Sequence, residues 1–337
     1  MGEHSAGACY RATKGKAEHM SSIRYCPAWS QRQAFATAWV LLLCLAPQIS
    51  PAHEAQPVRA EAEEGRLVVY VADEVFTAYK YGETMKYPFF YPVVGPATSE
   101  SVTTYDQEPW PHHSSLFMSL DLVRSEGIER GNYWQPRHEL ETGQILATAP
   151  EIVEENGERV VLRDVAVWAV PGRDPQLKDT RTVVIRAPSS HVRVMDFQFD
   201  FEILQDLAVG PTGHSMFSGR MRPELAVDGG GTLVDAHGNL QEEGTRGQSA
   251  PWCAYYGRHH GEVEGMAIIQ HPENPYYPAP WFNRDYGFFS PTPVWQIDAP
   301  VQWEQGLTFT KRYRVVVFAG DAEEAGIAGW HEDFVAQ

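Results

Sequence analysis

Within residues 192–204, VRVMDFQFDFEIL, positions 195–202 alternate without a break. Met195, Phe197, Phe199 and Phe201 fall on one side, and Asp196, Gln198, Asp200 and Glu202 on the other. A period of two is that of a pleated strand with one buried face and one wet face, and no helix accommodates it. Three phenylalanines on one face need a second layer to cover them. The rest of the chain offers such layers. LVVYV from Leu67, VFTAYKY from Val75 and YPFFYPVVG from Tyr87 are strand-like, as are runs at 144–149, 159–170, 181–187, 216–227, 265–271 and 307–320. Turn signals such as Asn156-Gly157, His237-Gly238-Asn239 and Gly320-Asp321 separate them. Only 322–335 reads as helical. The expectation is an all-β fold, a large antiparallel β-sandwich or double sheet with a short C-terminal helix, built as a single domain over 66–337.

The first 52 residues stand apart. An apolar run at 34–47, AFATAWVLLLCLAP, follows Arg24 and Arg32 and precedes small residues at Ser50 and Ala52, which is the layout of a secretory signal peptide. The run is too short to span a bilayer comfortably. A cleaved leader over 1–52 is therefore expected, with Met20 as an alternative start. The mature protein is expected to be secreted or periplasmic, with no membrane partner. Residues 53–65, HEAQPVRAEAEEG, are acidic and poor in apolar groups, and read as flexible.

The leader carries five of the 27 basic residues and two of the 44 acidic ones, so residues 53–337 have a net charge of −20. Such a surface repels nucleic acid and anionic lipid. It also disfavours a polyanionic glycan unless a local basic pocket overrides the field. Three of the four cysteines lie in the leader, and only Cys253 follows it. An internal disulfide and a cysteine-based metal site are thereby excluded after cleavage.

The stretch 271–293, HPENPYYPAPWFNRDYGFFSPTP, has six prolines and can run neither as a helix nor as a central strand. Tyr276, Tyr277, Trp281, Phe282, Tyr286, Phe288 and Phe289 crowd it, with His271, Asn274, Asn283, Arg284 and Asp285 between them. Flat rings beside fixed polar groups suit a sugar-like ligand, which offers C–H faces for stacking and hydroxyls for hydrogen bonds. A loop whose aromatics simply cap a β-core would have the same composition.

Histidines mark three further places. Pro109-Trp110-Pro111-His112-His113-Ser114 is a proline-pinned turn that delivers two adjacent imidazoles. Gly210-Pro211-Thr212-Gly213-His214 brings a third to the start of a strand, with Arg220 a little further on, and His259-His260 sits in a polar hairpin and reads as solvated, without a role. The expected catalytic groups are His112, His113, His214, Arg284 and Asp285. The expected ligand-binding groups are His271, Asn274, Trp281, Tyr286 and Arg220. Imidazoles from separate loops can transfer protons near neutral pH, or His112, His113 and His214 can ligate one divalent transition metal; the residues leave both open. No HExxH, paired CxxC, EF-hand, P-loop, GxSxG or GxGxxG in a βα context occurs, so no nucleotide cofactor is expected.

The ordered segments YKYG, YPFFYPVVGP, PHHSSL, NYW, GHSMFSGRM, APWCAYYG, HPENPYYPAPWFNRDYGFFSP and YRVVVFAGD resemble a family of secreted bacterial proteins labelled "methane oxygenase PmoA-like", otherwise a domain of unknown function. The resemblance covers roughly 66–335. The family's Asp-His-Pro-His-His-Arg stands here as Pro109-Trp110-Pro111-His112-His113-Ser114, and its Trp-Val-Asp-Tyr as Trp252-Cys253-Ala254-Tyr255. A histidine and two carboxylates of the pattern are thus absent. A membrane-embedded methane monooxygenase needs apolar runs of about 18 residues or more, and none follows the leader. What the resemblance implies instead is a β-sandwich like those of sugar-processing proteins of the galactose-mutarotase type. The expected function is that of an exported carbohydrate-active hydrolase or lyase. The alternatives are a non-catalytic carbohydrate-binding protein, or a histidine-ligated metal-binding protein.

Overall fold

The computed structural model describes residues 54–135 and 139–337. The leader expected over 1–52 lies outside the described residues. Val192–Ile203 forms a twelve-residue strand whose alternation is realised: Met195, Phe197, Phe199, Phe201 and Ile203 are buried, and the acidic and amide residues between them are half-exposed. It pairs in continuous antiparallel register with Leu177–Ser189 on one side and Thr308–Ala319 on the other. These lie in a nine-stranded sheet that continues through Glu262–Gln270, Trp252–His259 and Thr232–Asp235 at one end and Arg159–Ala169 at the other.

A seven-stranded sheet covers it, ordered Val58–Glu63, Arg66–Val71, Glu74–Lys80, Phe89–Val93, Leu116–Leu120, Ser215–Arg220 and Phe288–Phe289. Phe197 meets Phe217 at 4.7 Å and Phe90 edge-on at 5.4 Å, which locks the two sheets face to face. Gly219 is required there, because a Cβ would come within 2.6 Å of the Phe289 ring. A four-stranded sheet, Val301–Trp303, Leu207–Val209, Val123–Ser125 and Ile128–Gly131, stands beside these two. The expected antiparallel β-sandwich is present. The helix runs from Ile327 to Val335, five residues later than expected, because the Asp321 carboxylate takes the Glu323 and Glu324 N–H groups into a turn first. Among the described residues no helix is long and apolar enough to cross a membrane.

Two segments differ from expectation. Residues 53–65 contain a strand rather than a flexible lead: Val58–Glu63 pairs residue for residue with Arg66–Val71 through a turn at Gly65. Val58 and Ala60 face inward, enough apolar surface to dock a short edge strand despite its acidic outer face. The run 216–227 stops at Arg220, since Pro223 cannot continue a ladder and opens two short 3-10 turns instead.

Strand parity decides where Arg220 points. Phe217 and Gly219 face the nine-stranded sheet, so Ser218 and Arg220 project from the far face, where Arg220 sits opposite Phe288 in register. That far face is where the candidate groups gather.

Candidate functional site

The ring of His113 is the centre of the cluster. Phe288 packs on it at 4.3 Å, His112 at 4.3 Å, Trp134 edge-on at 6.0 Å and Tyr286 nearly parallel at 6.1 Å. Trp110 stacks over both His113 and Tyr286 at about 6 Å and remains 39 % exposed. Trp134 in turn stacks on His214 at 5.2 Å. Loops and strand ends far apart in sequence therefore converge, and His112, His113, His214, Arg220, Arg284 and Tyr286 belong to one face.

Electrostatics confirm the convergence. His113 is 4 % exposed and is held neutral: burial pushes it well below the ordinary imidazole value, and a proton on the neighbouring basic groups His112 or His214, like the charges of Arg220 and Arg284, pushes the same way. Its Nδ1 is buried without a hydrogen-bond partner, as are Trp134 Nε1 and Arg220 Nε, all within this cluster. Buried donors and acceptors are rarely left unsatisfied, so three in one place mark a position for water or ligand.

Arg220 is the least compensated charge here. It is 2 % exposed, its guanidinium lies 4.5 Å from the Tyr286 ring centroid, and it donates from Nη1 to the Tyr286 carbonyl. Among the described residues no carboxylate pairs with it. Elsewhere in the molecule buried guanidinium groups are paired, Arg181 bidentately with Asp179 and Arg314 with Asp196 and Asp333. A lone buried guanidinium is costly unless an anion completes it.

His214 has a different setting. It is 35 % exposed at the side chain, and its Nδ1 stands 3.7 Å from Asp121 Oδ2. Asp121 is buried; burial opposes its ionisation, but His214, Arg130 at 2.7 Å and the Leu122 N–H at 2.7 Å more than offset this and hold the carboxyl below its ordinary range. An ionised carboxylate behind one imidazole nitrogen leaves the other to act outward. Tyr286 keeps its phenolic proton at neutral pH because burial pushes it up, against the pull of Arg284 and Arg220.

The short helix Gln241–Thr245 closes one side. Glu242 accepts from Arg284 Nε at 3.1 Å and pairs with Arg246 at 3.3 Å, and Arg246 lies over the Phe282 and Trp295 rings. Glu242 and Arg246, along with Trp110, Asp121 and Trp134, are not among the groups expected from the sequence. Asp121 and Trp134 carry no motif. Trp110 was visible as an aromatic beside the paired histidines.

Four expected site residues take other roles. Trp281 is fully buried with its Nε1–H on the Ala250 carbonyl, so it cannot stack on a ligand. Asp285 turns its carboxylate to the Glu242 N–H at 2.7 Å and so holds the helix start rather than facing the cluster. Asn274 is spent on the Arg312 backbone, accepting from its N–H at 2.6 Å and donating to its carbonyl at 2.8 Å. His271 packs edge-on against Phe334 of the C-terminal helix and shares no contact with the histidine cluster. In each case a buried backbone polar group or an apolar neighbour claimed the side chain first.

Metal ligation by His112, His113 and His214 is not supported by their arrangement. Among the described residues the one group with three ligand atoms mutually within 4.8 Å is Glu100, His259 and His260, to which the sequence reading gave no role. Glu100 there is already bonded to Arg222 at 2.8 Å, and a guanidinium on the same carboxylate opposes a cation.

A comparison with curated proteins finds no match. Among solved structures the chain is similar to a putative aldose 1-epimerase from Escherichia coli K12, at 10 % identity and a TM-score of 0.34, covering 79 % of this chain and 99 % of that one. It is also similar to a GalM/aldose epimerase homologue from C. elegans, at 7 % identity and a TM-score of 0.32, covering 79 % and 99 %. Likeness at this level says nothing about activity. The oxygenase label carried by the resemblance is not part of the description of the family whose model fits. That family is described only as one of unknown function, DUF6807; its model matches residues 66–331, and the chain belongs to it.

Proposed function

We propose that this chain is an exported, carbohydrate-directed enzyme that performs acid–base chemistry on a ligand bearing an acidic group, a uronate-type sugar, and that it is a lyase rather than a hydrolase. The observation that carries this reading is the buried, uncompensated Arg220 guanidinium with its free Nε beside the unpartnered Nδ1 of a neutral His113. A carboxylate would supply the missing counter-charge. Trp110, exposed on the surface of the cluster, offers a face for a sugar ring to stack on, and Tyr286 and Arg284 border it.

Hydrolysis of a glycoside commonly uses two free carboxyl groups flanking the bond. The two carboxylates of this cluster are both tied to cations, Asp121 to Arg130 and Glu242 to Arg284 and Arg246. Elimination asks for something else: a cation to steady charge developing on the substrate carboxylate, a base for the adjacent C–H, and an acid for the departing oxygen. Arg220 fills the first role. His214, backed by Asp121, takes the proton, the C–H electron pair becomes the new double bond, and the C–O bond breaks. Tyr286 supplies the proton to the leaving oxygen and is reprotonated through solvent.

The test is a panel of oligosaccharides with and without uronic acid residues, followed by the ultraviolet absorbance of the conjugated unsaturated product. The expected outcome is turnover of uronate-containing substrates alone, lost in His214→Ala while ligand affinity is kept. Equal binding of neutral sugars, or full turnover by His214→Ala, would overturn it. Binding without product would leave the carbohydrate-binding reading in its place.

A further inference from the structure

Thr308–Ala319 presents Phe309, Lys311, Tyr313, Val315 and Val317 to the interior of the sandwich, one lysine in a row of apolar and aromatic side chains. Lys311 is 2 % exposed. It donates to the Pro275 carbonyl and stands 5.7 Å from the Tyr276 ring centroid, and among the described residues no carboxylate pairs with it. Lys311 lines a cavity of about 280 Å³ whose other walls include Trp303, Phe309, Val294, Val301 and Leu307. An engineered apolar cavity of about 150 Å³ is enough to bind benzene. The cavity shares no residue with the histidine cluster, so it stands independently of the function proposed above.

From this juxtaposition we infer that the cavity is a second ligand site, for an apolar aldehyde that Lys311 holds as an imine. Burial without a counter-ion lowers the Lys311 amine to about 7, so a large share of it is neutral at physiological pH. A neutral amine with one N–H on Pro275 keeps its lone pair for a carbonyl carbon. The step balances without oxidant or reductant. Nζ attacks the carbonyl carbon, the carbonyl oxygen takes up protons and departs as water, and the nitrogen gives up its two protons as the C=N bond forms.

The chain has few lysines, and Lys80, Lys86 and Lys178 are the others among the described residues. Lys86 is an internal control: it is also buried and lowered, to about 8, but its Nζ is engaged by the Glu139 carbonyl and the Thr142 hydroxyl, and it lines none of the described cavities. The protein is treated at pH 7 with benzaldehyde and sodium cyanoborohydride, and the adducts are mapped by peptide mass spectrometry. Lys311 is expected to be alkylated at least about tenfold faster than Lys80, Lys86 or Lys178. Glyceraldehyde, a polar aldehyde, is expected to label it far more slowly, and Lys311→Met to lose one adduct by intact mass. Labelling of Lys311 no faster than of the other lysines would overturn the inference. So would equal labelling by glyceraldehyde, which would mean a reactive amine without an apolar site. The mapping on the unsubstituted chain decides the matter even where Lys311→Met fails to fold.

Discussion

His214 Nδ1 lies 3.7 Å from Oδ2 of Asp121, a buried carboxylate that is also bonded to Arg130. The pair gives one half-buried imidazole a fixed anion behind it, while His113, among rings and guanidinium groups, is kept neutral. Two histidines on one face thus have different electrostatic roles, set entirely by their neighbours.

Asp121→Asn keeps the shape and removes the charge. Turnover on a uronate substrate is expected to fall by roughly 10² or more, with affinity changed little. Stability should drop by about 1–2 kcal/mol near neutrality. The sign with pH follows from the lowered carboxyl: its stabilisation is present above the ordinary value of 3.8 and is lost as pH falls through the folded-state value, so the two proteins converge in acid. Urea titrations between pH 7 and pH 2.5 check this, and a constant gap across that range would refute it.

Trp110 and Trp281 make a contrast. Trp110→Ala removes an exposed ring stacked on Tyr286 and should weaken sugar binding about tenfold while leaving stability within about 1 kcal/mol. Trp281→Ala empties a fully buried site and should cost about 3–5 kcal/mol. Paired calorimetric binding and denaturation curves separate the two effects.

Asp285→Ala tests the reassignment of that residue. The loss of its bond to the Glu242 N–H should cost about 1 kcal/mol and loosen Glu242, which also accepts from the Asp285 N–H at 3.1 Å. Activity should fall less than in Asp121→Asn. An equal or greater loss of turnover with unchanged stability would return Asp285 to the catalytic set.

Lys311→Met should stabilise the fold. The lysine is lowered from 10.5 to about 7, so at pH values between these the unfolded chain binds a proton that the folded chain does not. That penalty is absent above about pH 10.5, grows as pH falls, and levels off below about pH 7. The variant is therefore expected to gain roughly 2–4 kcal/mol at pH 6 and much less at pH 10. Thermal melts at the two pH values measure the difference, and a gain independent of pH would point to packing alone.

The strand Val192–Ile203 was legible from its sequence because alternation is a local property: each side chain's face follows from its neighbours in the chain. The double-sheet class, the late helix and the crowding of aromatics at 271–293 were legible for the same reason. The edge strand Val58–Glu63 was not, since composition weighs the acidic outer face of a strand as heavily as its inner one. Of the expected site residues, His112, His113, His214, Arg220, Arg284 and Tyr286 gather on one face, whereas Trp281, Asp285, Asn274 and His271 do not. A residue type states what a side chain can do. Which backbone amide, ring or carboxylate reaches it first is decided by sheet register and loop closure between segments distant in sequence, as Arg220 opposite Phe288 and Lys311 over its cavity both illustrate.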